Sequence, residues 1–319
     1  MHAALVRSFD HPPRYEEVAA PAARGDLELV DVLAAGLHPR VRSQADGSHY
    51  TSEGELPLIP GIDAVGRRAD GEIVYFVAPD GVPGTMAEQA LLDPRRSVPL
   101  PDGVDVAAIA AGMNPGMSSW VGLRRRAELE PGQSVLVLGA TGNAGQMAVQ
   151  IARHLGAGTV IGAGRGQERL QSLKALGADV LVALEDTDVS YAALGEAAAE
   201  VDVVLDYLWG RPSEEAIPAI VRRRKDRSRP LRWVQIGSVA GPDIALPSAA
   251  LRAANLQIMG SGQGSVTAAG IVAELPALAK EIDAGTFAVD PHPLPLAEVE
   301  EAWSATVAPG RRVVFIPAA

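Results

Sequence analysis

Between residues 134 and 237 the chain alternates between two hydrophobic rhythms. Five short, almost unbroken apolar runs are SVLVLG (134–139), TVIGAG (159–164), DVLVAL (179–184), VDVVLDYL (201–208) and RWVQIG (232–237). Runs of that length and β-branched content predict strands buried on both faces. After the first, NAGQMAVQIARHLGA (143–157) places Ala144, Met147, Ala148, Ile151 and Leu155 at helical spacing. A second helix is predicted over GQERLQSLKALGA (166–178), ended by Gly177. Strand–helix alternation of this kind predicts a parallel, doubly wound sheet. The first third has a different texture: strand-like AALVRSF and LELVDVLAAGL are punctuated by DHPPR, PAARGD and DPRRSVPLPDG, which predicts an irregular, mostly β region up to about residue 115. Near the end, TAAGIVAELPALAKEIDAG (267–285) predicts one helix with Pro276 inside it, and RRVVFIP (311–317) predicts a strand.

The junction of the first strand and helix carries three glycines, Gly139, Gly142 and Gly145, in the stretch Gly139-Ala140-Thr141-Gly142-Asn143-Ala144-Gly145. A sharp strand-to-helix reversal favours glycine, and a helix N-terminus presents free N–H groups and positive potential to an anion. Gly142 is expected to admit phosphates to the backbone and Gly145 to let helix and strand pack closely. The ideal G-x-G-x-x-G pattern has Ala140 at its first position here. Twenty positions beyond Gly145, where an acidic residue holds the ribose of NAD, the chain has Gly164-Arg165. A guanidinium there favours the 2′-phosphate of NADPH. Arg169 either assists or pairs with Glu168. Ligands of open α/β sheets sit outside the carboxyl ends of the strands, so Leu208, Ile236, Gly237 and Ser238 are expected to line the same crevice. MGSGQGS (259–265) either joins them or is a plain turn.

Composition narrows the partners. With 319 residues, one large or two ordinary domains are expected. Aromatics are only 4%, so Ala, Val and Leu must supply most of the packing. A net charge of -11 argues against nucleic acid. The basic cluster RRRKDRSRPLR (222–232) is read as a solvated helix end and loop. The absence of cysteine excludes disulfides, thiolate zinc sites and a cysteine nucleophile. The start lacks the apolar core of a signal peptide, and no run reaches the length of a membrane span. A cytoplasmic protein without membrane partners is the expectation.

The segment from Ala127 to Asp179 resembles the cofactor domain of medium-chain dehydrogenases/reductases. PLIPGIDAVGR is similar to that superfamily's Pro-Gly-x-Glu/Asp-x-x-Gly segment, MNPGMSSWVGL to its hinge helix, and LPLAEVEEAWSATVAPGRRVVFI to its closing segment. The resemblance implies a Rossmann doubly wound parallel sheet inserted in a GroES-like, mainly β catalytic domain. The implied boundaries are 1–116 and 265–319 for the catalytic domain and 117–264 for the NADP-binding domain. It also implies a homodimer. The zinc-binding branch uses cysteines and a Gly-His-Glu motif. Here that motif reads Gly61-Ile62-Asp63, and the six histidines show no ligand spacing, so no metal is expected. Asp63 is read as holding a backbone turn. The chain is instead similar to the zinc-free quinone and enoyl reductases.

That resemblance implies NADPH as cofactor and a small-molecule substrate, a quinone or the activated C=C of an α,β-unsaturated carbonyl. Such reductions disperse charge into an enolate or hydroquinone anion, so a weak donor or water suffices. Tyr50 stands where the family places a phenol near the nicotinamide. His38, in GLHPR, occupies a position the family often gives to Asn, and is read either as a substitute donor or as a bonded histidine between strands. Ser118, with Ser119, is read either as a contact to the cofactor or as a helix cap. Two alternatives remain: an enoyl-thioester reductase, and a weakly catalytic NADPH-binding sensor or structural protein.

Overall fold

The computed structural model describes residues 1–48, 54–262, 264–308 and 310–318. Two compact units form, Met1–Asn114 with Ala268–Ala319, and Pro115–Thr267.

In the first unit β1 (His2–Leu5) pairs antiparallel with β2 (Arg14–Glu17). The long strand β3 (Glu28–Gly36) leads into a short helix α1 (Pro39–Ala45), where Pro39 suits a first turn that needs no N–H. Then follow β4 (Asp63–Arg67), β5 (Ile73–Val77), β6 (Gln89–Leu92) and β7 (Ser97–Pro99). β3 serves three partners along its length. It pairs with β6 at its start and with β4 beyond, and its register shifts between Val32 and Ala34. That irregularity bends the strand around a core containing Val30, Ala35, Val74, Phe76 and Leu92. Helix α2 (Val106–Val121) follows.

The second unit is the alternating region. Strands β8 (Ser134–Leu138), β9 (Thr159–Gly164), β10 (Val180–Ala183), β11 (Val203–Asp206), β12 (Leu231–Gln235) and β13 (Leu256–Gly260) make one parallel sheet, ordered β10-β9-β8-β11-β12-β13. The connecting helices are α3 (Asn143–His154), α4 (Gln167–Ser172), α5 (Asp188–Ala197), α6 (Gly210–Arg223) and α7 (Ser248–Ala253). The strand order reverses between β8 and β11, which makes their carboxyl ends the switch point of the sheet. Trp233, Leu136, Leu138 and Val204, all fully buried, anchor the core.

Two expectations are corrected here. The helix predicted over 166–178 stops at Ser172, and residues 173–177 tighten into three-residue turns. Those turns tuck Leu173 against Gly162, where a Cβ would lie 2.8 Å from the Leu173 Cδ1. The basic cluster is not wholly solvated: Arg224 is buried, and its guanidinium donates to the carbonyls of Ala199, Val201, Arg229 and Pro230.

The C-terminal elements complete the first unit. The single helix expected over 267–285 is two, α8 (Ala268–Val272) and α9 (Leu275–Asp283), because Pro276 fits a first turn and not an interior. Strand β14 (Asp290–Pro295), helix α10 (Val299–Ser304) and strand β15 (Arg311–Ile316) follow. β15 pairs antiparallel with the end of β3 and parallel with β14, giving a seven-stranded sheet with β14 at one edge. β14 reads DPHPLP, with prolines at alternate positions. Phe315, Val299 and Trp303 fill the core begun by the N-terminal strands. The fold is thus α/β, a Rossmann doubly wound parallel sheet inserted in a GroES-like, mainly β unit.

Candidate functional site

The corner between β8 and α3 is built by backbone. Gly139 has φ +86°, a left-handed conformation that costs glycine little, and the N–H groups of Gly139 and Ala140 both donate to the Ala163 carbonyl. A Cβ on Gly145 would lie 2.2 Å from the Gly139 carbonyl oxygen, so helix and strand approach as closely as they do only because Gly145 has no side chain. Gly142, at the N-cap of α3, is exposed, and a Cβ there would meet only the Gly139 oxygen, at 3.5 Å. Asn143 and Ala144 form the first turn, which holds no acidic residue. Thr141 is buried against the end of β9, where a Cβ on Gly164 would lie 2.7 Å from its Oγ1.

Arg165 and Arg169 flank Gly166 just past β9, and both are exposed. The Arg169 side chain folds toward Gly166, whose Cβ would stand 3.1 Å from its Nε. Among the described residues neither guanidinium has a carboxylate partner, so the expected alternative of an Arg169–Glu168 pair is not formed.

The second half of the sheet turns on a carboxylate missing from the sequence reading. Asp206, fully buried at the end of β11, accepts the N–H groups of Leu208 and Trp209 on Oδ1, and Ser213 Oγ and Trp233 Nε1 on Oδ2. It fixes the turn after β11, including Trp209 in the left-handed region at φ +52°. Its own carbonyl accepts from Ile236 and Gly237. Leu208 packs beside Gly139, and Ser238 is exposed at the end of β12. Between Asp206 and Leu208, Tyr207 points its hydroxyl at Ser118 Oγ of α2, 3.0 Å away. Ser118 therefore caps no helix end; its hydroxyl also donates to the Pro115 carbonyl at 2.7 Å. Burial pushes the Tyr207 phenol up to about 12. In MGSGQGS, Gly260 accepts a hydrogen bond from Arg126 Nε.

In the first unit the structure brings together four polar side chains that the sequence scatters. His38 Nε2 lies 2.9 Å from Asp63 Oδ1, the Tyr75 hydroxyl donates to Asp63 Oδ2 at 2.9 Å, and the Asn114 amide reaches Oδ1 at 3.5 Å. His38, Asp63 and Tyr75 are all buried. Asp63 thus does not hold a turn: its carboxylate is the hub of the cluster. A carboxylate surrounded by donors only accepts, so the His38 hydrogen sits on Nε2. Burial, reinforced by Arg312 and Arg40, lowers the His38 pKa against the pull of Asp63 and keeps the ring neutral. Nδ1 is buried without a partner and can only accept; of the two readings of His38, the geometry matches the hydrogen-bonded histidine. Tyr50, the other candidate, lies outside the described residues.

The strand order and the inserted position of the parallel sheet define a Rossmann-type α/β protein carried by a mainly β unit. Comparison with known proteins narrows that class. Residues 144–284 match the zinc-binding dehydrogenase family. The chain is 32% identical to tdiC of Emericella nidulans, named as a probable NADPH-dependent quinone reductase, over 99% of this chain and all of that protein. It is 26% identical to a chloroplastic NADPH-dependent alkenal/one oxidoreductase of Arabidopsis thaliana, over 52% of this chain and 47% of the relative. The quinone oxidoreductase of Thermus thermophilus superposes with a TM-score of 0.78 at 25% identity, covering 99% of this chain and 100% of that one. The chain belongs to the medium-chain dehydrogenase/reductase superfamily, in its quinone oxidoreductase-like branch.

The chain has no cysteine, His38 Nε2 is committed to Asp63, and no cluster of three or more His, Asp or Glu among the described residues is arranged to hold a metal ion. No helix among them is long and apolar enough to cross a membrane.

Proposed function

We propose that the protein is a zinc-independent, NADPH-dependent reductase of quinones or of the activated C=C of α,β-unsaturated carbonyls. The observation that carries this reading is the corner at 139–145 combined with two guanidiniums one strand away that have no carboxylate partner among the described residues, in a chain whose full-length relative is named for NADPH and quinones. The second unit is the cofactor domain and the first the catalytic domain.

The open backbone at Gly142, with the N–H groups that begin α3, would hold the diphosphate, and Gly145 sets the distance. Arg165 would take the 2′-phosphate, with Arg169 in support. Leu208, Ile236, Gly237 and Ser238 would line the nicotinamide half. When bound, NADPH supplies a hydride to an electron-poor carbon. The chain's task is then to orient the reactants, exclude water and stabilise charge as it reaches the substrate oxygen. Tyr50 or water would supply the proton. His38, with a free lone pair on Nδ1, would accept a hydrogen bond from a hydroxyl or a water molecule. We read the working form as a cytoplasmic homodimer, paired through the edge strand β13.

NADPH oxidation against a panel of quinones, enones and enoyl thioesters, run beside NADH, tests the reading. The expected result is turnover of quinones or enones with NADPH preferred. Arg165→Gln is expected to weaken NADPH binding by about 10- to 100-fold, the loss of one or two charge-assisted hydrogen bonds, and to leave NADH binding unchanged. Fluorescence titration measures both. Equal losses for the two nucleotides would remove Arg165 from the 2′-phosphate.

A further inference from the structure

We propose that the Tyr207 hydroxyl is the hydrogen-bond donor to the substrate's carbonyl oxygen, with Ser118 as its positioning partner. The inference rests on the reductase reading above and names the residue that receives the developing charge.

Tyr207 is placed for this by topology. It is the first residue past β11, at the switch point beside β8, where ligands of doubly wound sheets lie. Its neighbours on both sides are glycines. A Cβ on Gly139 would come within 3.4 Å of the Tyr207 Cβ, and one on Gly237 within 2.8 Å of its carbonyl oxygen. The carboxylate of Asp206, four times bonded, fixes the backbone from which the phenol projects.

Elimination points the same way. The other described tyrosines are occupied elsewhere: Tyr15 stacks on His2, Tyr75 is buried on Asp63, and Tyr191 donates to Asp186. The hydrogen positions allow a donating phenol. Ser118 Oγ donates to the Pro115 carbonyl at 2.7 Å, and in that arrangement its one hydrogen is used and the phenol donates across the 3.0 Å contact. Ser119 places a second hydroxyl beside the phenol. A substrate oxygen arriving beside Tyr207 takes the phenol hydrogen by rotation of the O–H alone. Ser118 can then turn its own hydrogen to the phenol oxygen, which makes the phenol a stronger donor. Burial keeps the phenol neutral through the ordinary pH range, so it acts as a donor and not as a base.

The electron balance is simple. A hydride from the cofactor forms a C–H bond at the electron-poor carbon, and the π pair it displaces moves to the carbonyl oxygen. Tyr207 holds that oxygen as it becomes anionic. One proton, from water, completes the saturated carbonyl or hydroquinone.

Tyr207→Phe tests the assignment with three readouts, beside the wild-type pH profile and Ser118→Ala. Expected are a fall of about 100-fold in kcat/KM, the usual loss on removing one oxyanion donor, and a Kd for NADPH within about twofold of wild type. Binding of 4-nitrophenolate in the presence of NADP+, a probe for an anionic oxygen at this position, should weaken by about tenfold. The wild-type rate should show no loss with the pKa of an ordinary phenol near 10. Ser118→Ala should lower kcat by about tenfold with nucleotide binding intact. The proposal is overturned if Tyr207→Phe turns over within threefold of wild type, if it loses NADPH affinity in step with rate, or if it binds nitrophenolate equally well. A wild-type protein that reduces no quinone or enone removes the reductase reading and this inference with it; turnover retained in Tyr207→Phe removes the inference alone.

Discussion

Asp206 organises four donors from three parts of the second unit without any charged partner. In the sequence it is an acid near the end of an apolar run, the ordinary mark of a strand reaching solvent. Its burial depends on Trp233, one strand over, and on Ser213 in the following helix, which no local pattern connects to it. Asp206→Ala orphans all four donors and is expected to destabilise the protein by about 3 kcal/mol, measured by urea unfolding. Asp63 reads as a turn residue for the same reason, since His38, Tyr75 and Asn114 lie far from it along the chain. His38 has a pH consequence. Its pKa is lowered on folding, so the unfolded chain binds the proton more readily. Its contribution to stability is complete above the ordinary histidine value near 6.5 and is lost as pH falls below it. Thermal melting from pH 7.5 to 5 should show a steeper drop in Tm for wild type than for His38→Asn; parallel curves would deny His38 that role.

At the scale of elements, the β8–α3 corner was legible because everything that makes it is local: an apolar run, three glycines and a helical repeat within one short stretch. The two outer glycines and the middle one do different jobs, and substitution should separate them. Gly145→Ala drives a methyl into the Gly139 carbonyl and should cost about 3 kcal/mol of stability or prevent folding. Gly142→Ala meets only a 3.5 Å contact and has an ordinary φ of -84°, so it should leave Tm nearly unchanged while weakening NADPH binding at least tenfold. A Gly142→Ala protein that melts early and binds normally would reverse these roles. Legibility failed where tertiary packing overruled the local signal. Helix α4 stops because Leu173 is needed over Gly162, and periodicity alone continues it to Gly177. Arg224 sits among solvated arginines in the sequence, yet it closes four carbonyls because the loop after α6 folds back on it.

For the whole molecule, the order of the chain and the order of assembly differ. The second unit is continuous in sequence, whereas β3 of the first must wait for β15, near the opposite terminus, to pair with its final residues. Closing so long a loop slows folding. In pulse-labelled hydrogen exchange during refolding, amides of β8 and β11 should gain protection before those of β15; the reverse order would mean that the first unit nucleates the fold.

The prolines of β14 carry a different consequence. Because β14 runs beside β15 on one side only, the rungs between them must come from Asp290, His292 and Leu294, and the outward nitrogens at 291, 293 and 295 have no hydrogen to offer. A stray strand arriving at that margin would find carbonyls and nothing to satisfy its own. The seven-stranded sheet is thereby closed to polymer growth at that end, a protection that β13, the proline-free edge of the six-stranded sheet, does not share.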